Sequence, residues 1–173
     1  MTSPAESQSP IDIAPPTDEQ LASVPFLTKA FASGLFSGYS PAASGTVGSL
    51  VGLAFYFIPG FENIYVLVPA SLLVLLLGIR ASAAMERVYG HDPAEVTIDE
   101  VLGMWVSLLF LPKSILIAGL AFFLFRLLDI VKPFPARRFD ARKGGVGIMV
   151  DDVISGIYTN IVLQILVAFR ILS

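Results

Sequence analysis

The chain has 173 residues, of which 55% are hydrophobic and only 14% charged, with a net charge of −3 and a mean hydropathy of +0.77. Soluble domains have about a quarter of their residues charged, so this composition excludes an ordinary soluble domain and indicates a small integral membrane protein. The chain has no cysteine and one histidine, His91, which excludes disulfides, thiolate nucleophiles and any mechanism that needs two histidines.

The first 20 residues are polar and contain four prolines. A segment of this composition cannot bury a core, so we predict a disordered tail over residues 1–20. It does not resemble a signal peptide, which opens with basic residues and continues with an apolar run. Residues 21–173 are predicted to form a single membrane-embedded domain.

Six helices are predicted in this domain. The first, over residues 21–35, is amphipathic and is expected to lie on the membrane surface or on the bundle. The apolar segments that follow cover residues 47–58, 64–84, 98–111, 113–130 and 151–172. At about 1.5 Å per residue, the second of these can cross a bilayer core, whereas the first and third are short for a full crossing. The predicted fold is an all-α, multi-pass membrane helix bundle with short or half-crossing helices.

The distribution of basic residues predicts the orientation of the bundle. Six of the eleven bases lie between residues 126 and 143, and short basic loops stay on the cytoplasmic side of a membrane. Counting the crossings back from this loop places four groups of polar residues at that same face. These are Gly45 with Thr46, Asp99 with Glu100, Asp129 with Lys132, and Asp151 with Asp152. We therefore expect a polar site that faces the cytoplasm.

Five acids at the ends of apolar segments are the strongest functional signal in the sequence. They are Asp99, Glu100, Asp129, Asp151 and Asp152. Ionisable groups beside membrane helices are costly and usually mark functional sites. Hard carboxylate oxygens suit Mg²⁺ or Mn²⁺, so a metal site is one interpretation. The alternative is that the pairs 99–100 and 151–152 only cap the amino-terminal ends of helices.

Two further groups of residues could bind phosphate. Arg126, Asp129 and Lys132 follow each other at three-residue steps, which makes either a salt-bridge ladder or an anion site beside a metal. Gly45, Thr46 and Ser49 start a helix whose amides and hydroxyls could contact a phosphate. The glycines of that helix are equally typical of close helix packing, and the two interpretations are compatible. His91, in a turn, is expected to be a loop residue without chemistry.

Four sequence blocks together resemble bacterial phosphatidylglycerophosphatase A. They are residues 45–49 (GTVGS), 99–105 (DEVLGMW), 125–135 (FRLLDIVKPFP) and 144–152 (GGVGIMVDD). The match covers about residues 30–170, in order. The resemblance implies an Mg²⁺-dependent phosphatase of the bacterial inner membrane that hydrolyses phosphatidylglycerophosphate to phosphatidylglycerol and phosphate. Ser44 stands where the family is expected to have proline, which loosens the loop but removes no ligand.

The mechanism that fits this resemblance assigns roles to the residues named above. Some of the five acids would hold Mg²⁺ and one would remain free as general base, with Asp99, Asp129 and Asp152 catalytic and Asp129 the favoured base. Arg126 and Lys132, with Gly45, Thr46 and Ser49, would bind the substrate phosphate. An aspartyl-phosphate intermediate stays open. The expected partners are a phospholipid substrate and membrane lipid, with no nucleic acid, and the sequence does not indicate an oligomeric state.

A small cation transporter or channel is the alternative function, since an acidic cluster can also bind ions in transit. A transporter predicts carboxylates distributed through the depth of the membrane. The predicted clustering of acids at one face, beside bases suited to phosphate, favours the enzyme.

Overall fold

The computed structural model describes residues 16–172, which form helices and turns and contain no strand. The predicted all-α class is confirmed. A 3₁₀ turn, Ser37–Tyr39, joins the second and third helices. The eight helices are α1 (Asp18–Ser23), α2 (Phe26–Ala32), α3 (Ser44–Phe57), α4 (Ile64–Tyr89), α5 (Ile98–Leu108), α6 (Ile115–Val131), α7 (Ala136–Asp140) and α8 (Gly145–Ala168).

The amino-terminal part differs from the predicted single helix over residues 21–35. It is divided into α1 and α2 at Pro25, which has no backbone N–H and disfavours helical geometry in the residue before it. Most of the predicted tail, residues 1–20, lies outside the described residues. Its last residues begin α1, where Thr17 and Gln20 form a reciprocal capping box.

Helix α8 begins six residues earlier than predicted, at Gly145. The preceding Gly144 has a φ of +97°, a left-handed value that glycine adopts without strain. As a result, Asp151 and Asp152 lie in the second turn of α8 and not at its start. The interpretation of these two acids as helix caps is therefore wrong.

Two of the helices in residues 16–172, α4 and α8, are long and apolar enough to cross a membrane. Helix α3 is apolar but has only 14 residues. These lengths agree with a membrane helix bundle that contains short helices.

Helix α5 is the short central helix of the bundle, and it packs against α3, α4, α6 and α8. Its 11 residues span about 16 Å, roughly half of a bilayer core. Its last carbonyls accept hydrogen bonds from two side chains of α8. The side chain of Asn160 donates to the carbonyls of Ser107 (3.1 Å) and Leu109 (2.7 Å), and Gln164 donates to Leu109 at 3.1 Å. This arrangement suits the predicted half-crossing helix.

Glycines set the distances between α5 and its neighbours. A Cβ atom on Gly156 of α8 would lie 2.6 Å from the carbonyl oxygen of Gly103 in α5, so these two backbones touch. On the other side, a Cβ atom on Gly48 of α3 would lie 2.8 Å from the Thr97 side chain. The Trp105 indole donates to the carbonyl of Gly52 at 2.9 Å. The packing interpretation of the α3 glycines is therefore confirmed.

We expect Gly145→Ala to destabilise the fold strongly. The added Cβ would lie 1.9 Å from the carbonyl oxygen of Ile79, a backbone atom of α4 that cannot move aside. Overpacking of this kind should lower Tm in detergent by roughly 10 °C. Gly119→Ala is the matched control, because no atom lies within 4 Å of its added Cβ and α6 is helical there. Its Tm should stay unchanged or rise; equal Tm losses in both variants would contradict the prediction.

Candidate active site

A polar pocket of about 290 Å³ opens at one end of the bundle, where α5 begins and α6 ends. It brings together residues that are distant in the sequence. Its lining comprises Ser44, Asp92, Pro93, Ala94, Val96, Asp99, Glu100, Asp129, Ile130, Lys132 and Asp152.

The glycine contact between α5 and α8 explains why two of these acids meet. Asp99 lies four residues before Gly103 in α5, and Asp152 lies four residues before Gly156 in α8. Residues four apart share a helix face, so each acid lies one turn from the point where the two backbones touch. The close crossing of the helices therefore brings the two carboxylates together.

The five predicted acids form two overlapping groups of three. In each group, one carboxylate oxygen from every member lies within 4.8 Å of the others. Asp99, Asp129, Asp151 and Asp152 are all at least 92% buried. The groups are Asp99, Glu100 and Asp152, and Asp129, Asp151 and Asp152.

Several of these carboxylate oxygens are buried and have no hydrogen-bond partner in residues 16–172. They are Asp99 Oδ1, Glu100 Oε2, Asp151 Oδ1 and Asp152 Oδ2. A buried, unpaired carboxylate costs several kcal/mol in free energy unless a cation lies beside it. Hard oxygen donors at this spacing fit Mg²⁺, which prefers carboxylate and water ligands.

Arg126 is the cation that lies within the acidic cluster. Its Nη1 is 2.8 Å from Asp129 Oδ2 and 3.6 Å from Glu100 Oε1. Its Nε has no hydrogen-bond partner in the described part of the chain. The guanidinium therefore keeps an unused donor beside Glu100 and Asp129, two acids that line the pocket.

Lys132 lines the pocket but leaves the face that Arg126 and Asp129 share. It caps α6 with a φ of +47°, and its amine forms ion pairs with Asp140 (2.7 Å) and with Asp151. Burial works against the charged amine, but these hydrogen bonds outweigh it and raise the Lys132 pKa. The predicted three-residue ladder therefore stops at Asp129, and Lys132 connects α7 to α8.

Of the α3 residues predicted to bind phosphate, some lie at the acidic cluster and others do not. Gly45 lies at the cluster, since its added Cβ would be 2.2 Å from Glu100 Oε1. Ser49 is fully buried and donates its hydroxyl to the Gly45 carbonyl at 2.8 Å. Ser44, the first residue of α3, lines the pocket, whereas Thr46 and Ser49 of the same helix do not. The structure thus brings Gly45 to the site and directs the Ser49 hydroxyl into its own helix.

We expect Gly45→Ala to lower activity without unfolding the protein. The new methyl group would push against the flexible ends of Glu100 and Arg126. The two terminal nitrogens of Arg126 would each lie 2.8 Å from the added Cβ. Displacing such groups by about 1 Å should lower kcat/KM by roughly 10- to 100-fold. Gly119→Ala serves again as the control; a Gly45→Ala enzyme with unchanged kinetics would show that this contact is unimportant.

Asp92 is a pocket residue that the sequence analysis did not identify. It lies in the turn after α4 with a φ of +46°, beside Pro93. The only sequence feature that pointed to Asp92 was its acidic side chain in the loop that leads into Asp99. Without the fold, that loop could not be placed against the end of α6.

His91 lies in the same turn, outside the pocket lining. Its Nδ1 is 2.8 Å from Glu86 Oε1, and the other Glu86 oxygen accepts the Gly144 N–H at 2.6 Å. These contacts connect the turn to the start of α8. His91 therefore has a structural contact that its expected role as a plain loop residue did not include.

This contact predicts a small pH dependence of stability. The hydrogen bond to Glu86 raises the His91 pKa above its usual value. A raised folded-state pKa gives stabilisation that is complete below about pH 6.5 and is lost as pH rises through the folded value. Because the side chain is 42% exposed, the effect should not exceed about 1 kcal/mol. The Tm difference between wild type and His91→Ala should therefore shrink from acidic to alkaline pH; a constant difference would contradict this.

Comparisons with known proteins identify the family of this chain. The family model Phosphatidylglycerophosphatase A matches residues 30–167. A Bacteroides thetaiotaomicron protein named "Putative phosphatidylinositol-3-phosphatase" is 40% identical over 81% of this chain and 93% of its own. Two proteins named phosphatidylglycerophosphatase A are 38% identical (Escherichia coli; 73% of this chain, 75% of the relative) and 36% identical (Haemophilus influenzae; 76% and 83%).

No solved structure matches the chain. The family match includes all five clustered acids and Arg126. By the extent of this match and by its relatives, the chain belongs to the phosphatidylglycerophosphatase A family.

Proposed function

We propose that this protein hydrolyses phosphatidylglycerophosphate to phosphatidylglycerol and phosphate, with Mg²⁺ as cofactor. The observation that carries the proposal is a pocket lined by buried acids, two of which, Glu100 and Asp129, contact Arg126, in a member of this family. An acidic cluster alone would bind a cation. The adjacent guanidinium gives the same pocket a group that binds phosphate.

The residues that would hold Mg²⁺ come from the five acids of the two groups. When bound, the ion would polarise the phosphoryl group and lower the pKa of a coordinated water. The unpartnered oxygens of Asp99, Glu100, Asp151 and Asp152 support this assignment.

The remaining chemistry belongs to the side chains around the cluster. Arg126 would offset the charge that develops on the transferred phosphoryl group. The Arg126 contact also orients Asp129, which we propose as the general base that accepts the proton of the attacking water. The start of α3, at Ser44 and Gly45, would add backbone amides to the phosphate site. Lys132, held by Asp140 and Asp151, would support the site from its rim.

We further propose that the pocket faces the cytoplasm from a bacterial inner membrane. Four exposed bases lie in or next to α7, close in sequence to Lys132 at the pocket rim. They are Arg137, Arg138, Arg142 and Lys143. Basic residues at a membrane boundary favour the cytoplasmic side.

Phosphate release by the purified protein in detergent tests the proposed reaction. Three substrates should be compared: phosphatidylglycerophosphate, phosphatidic acid and, because of the Bacteroides relative's name, phosphatidylinositol 3-phosphate. Each assay is run with Mg²⁺ and with excess chelator. We expect metal-dependent release from phosphatidylglycerophosphate, with the other two lipids much slower.

The matched variants are Asp129→Asn, expected to be inactive, and Glu62→Gln, expected to be fully active. Glu62, in the loop between α3 and α4, forms an ion pair with Lys113 and does not line the pocket. Preferential hydrolysis of the inositol lipid would transfer the proposal to that substrate. If folded protein released phosphate from none of the three lipids, the proposed hydrolysis would be wrong and the transporter would become the leading alternative.

A further inference from the structure

We propose that the acidic cluster binds two divalent cations and that Asp152 is the ligand they share. This inference rests on the proposed function and deepens it, because it concerns how many ions the same site holds. It also gives each acid of the cluster a separate position, which a single-ion site does not.

The geometry contains two potential sites and one residue common to both. Asp99 and Glu100, from the first turn of α5, form one group with Asp152. Asp129 from α6 and Asp151 from α8 form the other, again with Asp152. Asp152 is thus the one member that both groups contain among residues 16–172. A shared carboxylate has two oxygens and can give one to each ion.

The unpartnered oxygens are distributed over both groups, which is an observation independent of the clustering. Asp99 Oδ1 lacks a partner in the first group and Asp151 Oδ1 in the second, while Asp152 Oδ2 lacks one at the junction. The exposed fractions of these three residues are 7%, 3% and 3%. One ion in either group would leave a deeply buried carboxylate oxygen of the other group without a partner.

Charge balance also favours two ions. With all five acids ionised, the two nearby cations Arg126 and Lys132 leave a net charge of −3 (five negative, two positive). One divalent ion leaves −1, which repels a phosphomonoester dianion, whereas two ions give +1. Counting Asp92 in the pocket lining and Asp140, the other partner of Lys132, lowers both totals by two, and the two-ion site still repels a dianion least. Two ions also match phosphoryl chemistry, in which paired metals contact both the attacking and the leaving oxygen.

Mn²⁺ binding to the metal-free protein in detergent measures the number of ions directly. We expect equilibrium dialysis to give two Mn²⁺ per wild-type chain and the EPR spectrum to show spin coupling between them. Asp99→Asn and Asp151→Asn should each retain one Mn²⁺ without coupling. Asp152→Asn should lose the coupling and retain at most one. Glu62→Gln, outside the cluster, should match the wild type.

A single Mn²⁺ per wild-type chain, or two ions whose spectrum shows no coupling, would overturn the inference. Folding of each variant is checked by circular dichroism and by its elution from a sizing column. Should an Asn variant not fold, the wild-type stoichiometry and coupling still decide. One Mn²⁺ together with Mg²⁺-dependent phosphate release would refute this inference and leave the proposed function standing. Two coupled ions without hydrolysis of any lipid would support this inference and refute the proposed function.

Discussion

Asp152→Asn should lower kcat for phosphate release by roughly a thousandfold or more, which corresponds to about 4 kcal/mol of activation free energy. Asp152 belongs to both groups of acids and is 3% exposed, so its substitution affects both of the proposed metal positions. Asparagine keeps the size of the side chain but removes one oxygen and the charge. The measurement is kcat at saturating Mg²⁺, with Glu62→Gln as the control of equal charge change.

The same variant should be more stable than the wild type when metal is absent. Asp152 lies among four other acids, and removing one of several buried like charges relieves repulsion. In chelator, Asp152→Asn should therefore melt at a higher temperature than the wild type. Added Mg²⁺ should raise the wild-type Tm more than the variant's, because ligand binding stabilises only the protein that binds it. A variant that is both inactive and less stable in chelator would indicate a structural role for Asp152.

Arg126→Gln should lower kcat/KM by roughly 100- to 1000-fold, with a smaller loss for Arg126→Lys. Glutamine removes the charge beside Asp129 and Glu100, whereas lysine keeps it but cannot present two donors in one plane. If Arg126 acts on the phosphoryl group, kcat should fall in both variants. If it only holds the two acids in place, the main change should be a weaker apparent affinity for Mg²⁺.

Arg137→Gln is the matched control for this series. It removes an arginine charge from an exposed position of α7, away from the pocket lining. Its kinetics should match the wild type within about twofold, because exposed charges interact weakly with buried groups. A loss as large as that of Arg126→Gln would assign the effect to the general positive charge of this face.

The parts of the fold that the sequence predicts are those controlled by local chemistry. Apolar runs mark the helices, and the start of α5 is within reach of sequence reasoning because its first turn carries Asp99 and Glu100. The start of α8 is not, because three glycines at its beginning look like a loop. Only the contact of Gly145 with the backbone of α4 makes a helix there understandable.

The candidate site is predictable in composition but not in geometry. The sequence identifies all five acids and Arg126, since costly charges stand out among apolar residues. It does not indicate that Lys132 pairs with Asp140, because that pairing depends on the left-handed cap that ends α6. Asp92 is missed for a similar reason, as its position depends on how a turn folds back over the pocket.

The short central helix bears on where a lipid product of the proposed reaction would go. Helix α5 ends against α8, where Asn160 and Gln164 bond its last carbonyls, and Met104 and Leu108 of the same helix are buried beyond the acids. On the proposed function, a head group that enters the pocket at the start of α5 would therefore leave by the same opening. The product would then return to the leaflet that supplied the substrate, and the reaction alone would not change the distribution of lipid between leaflets.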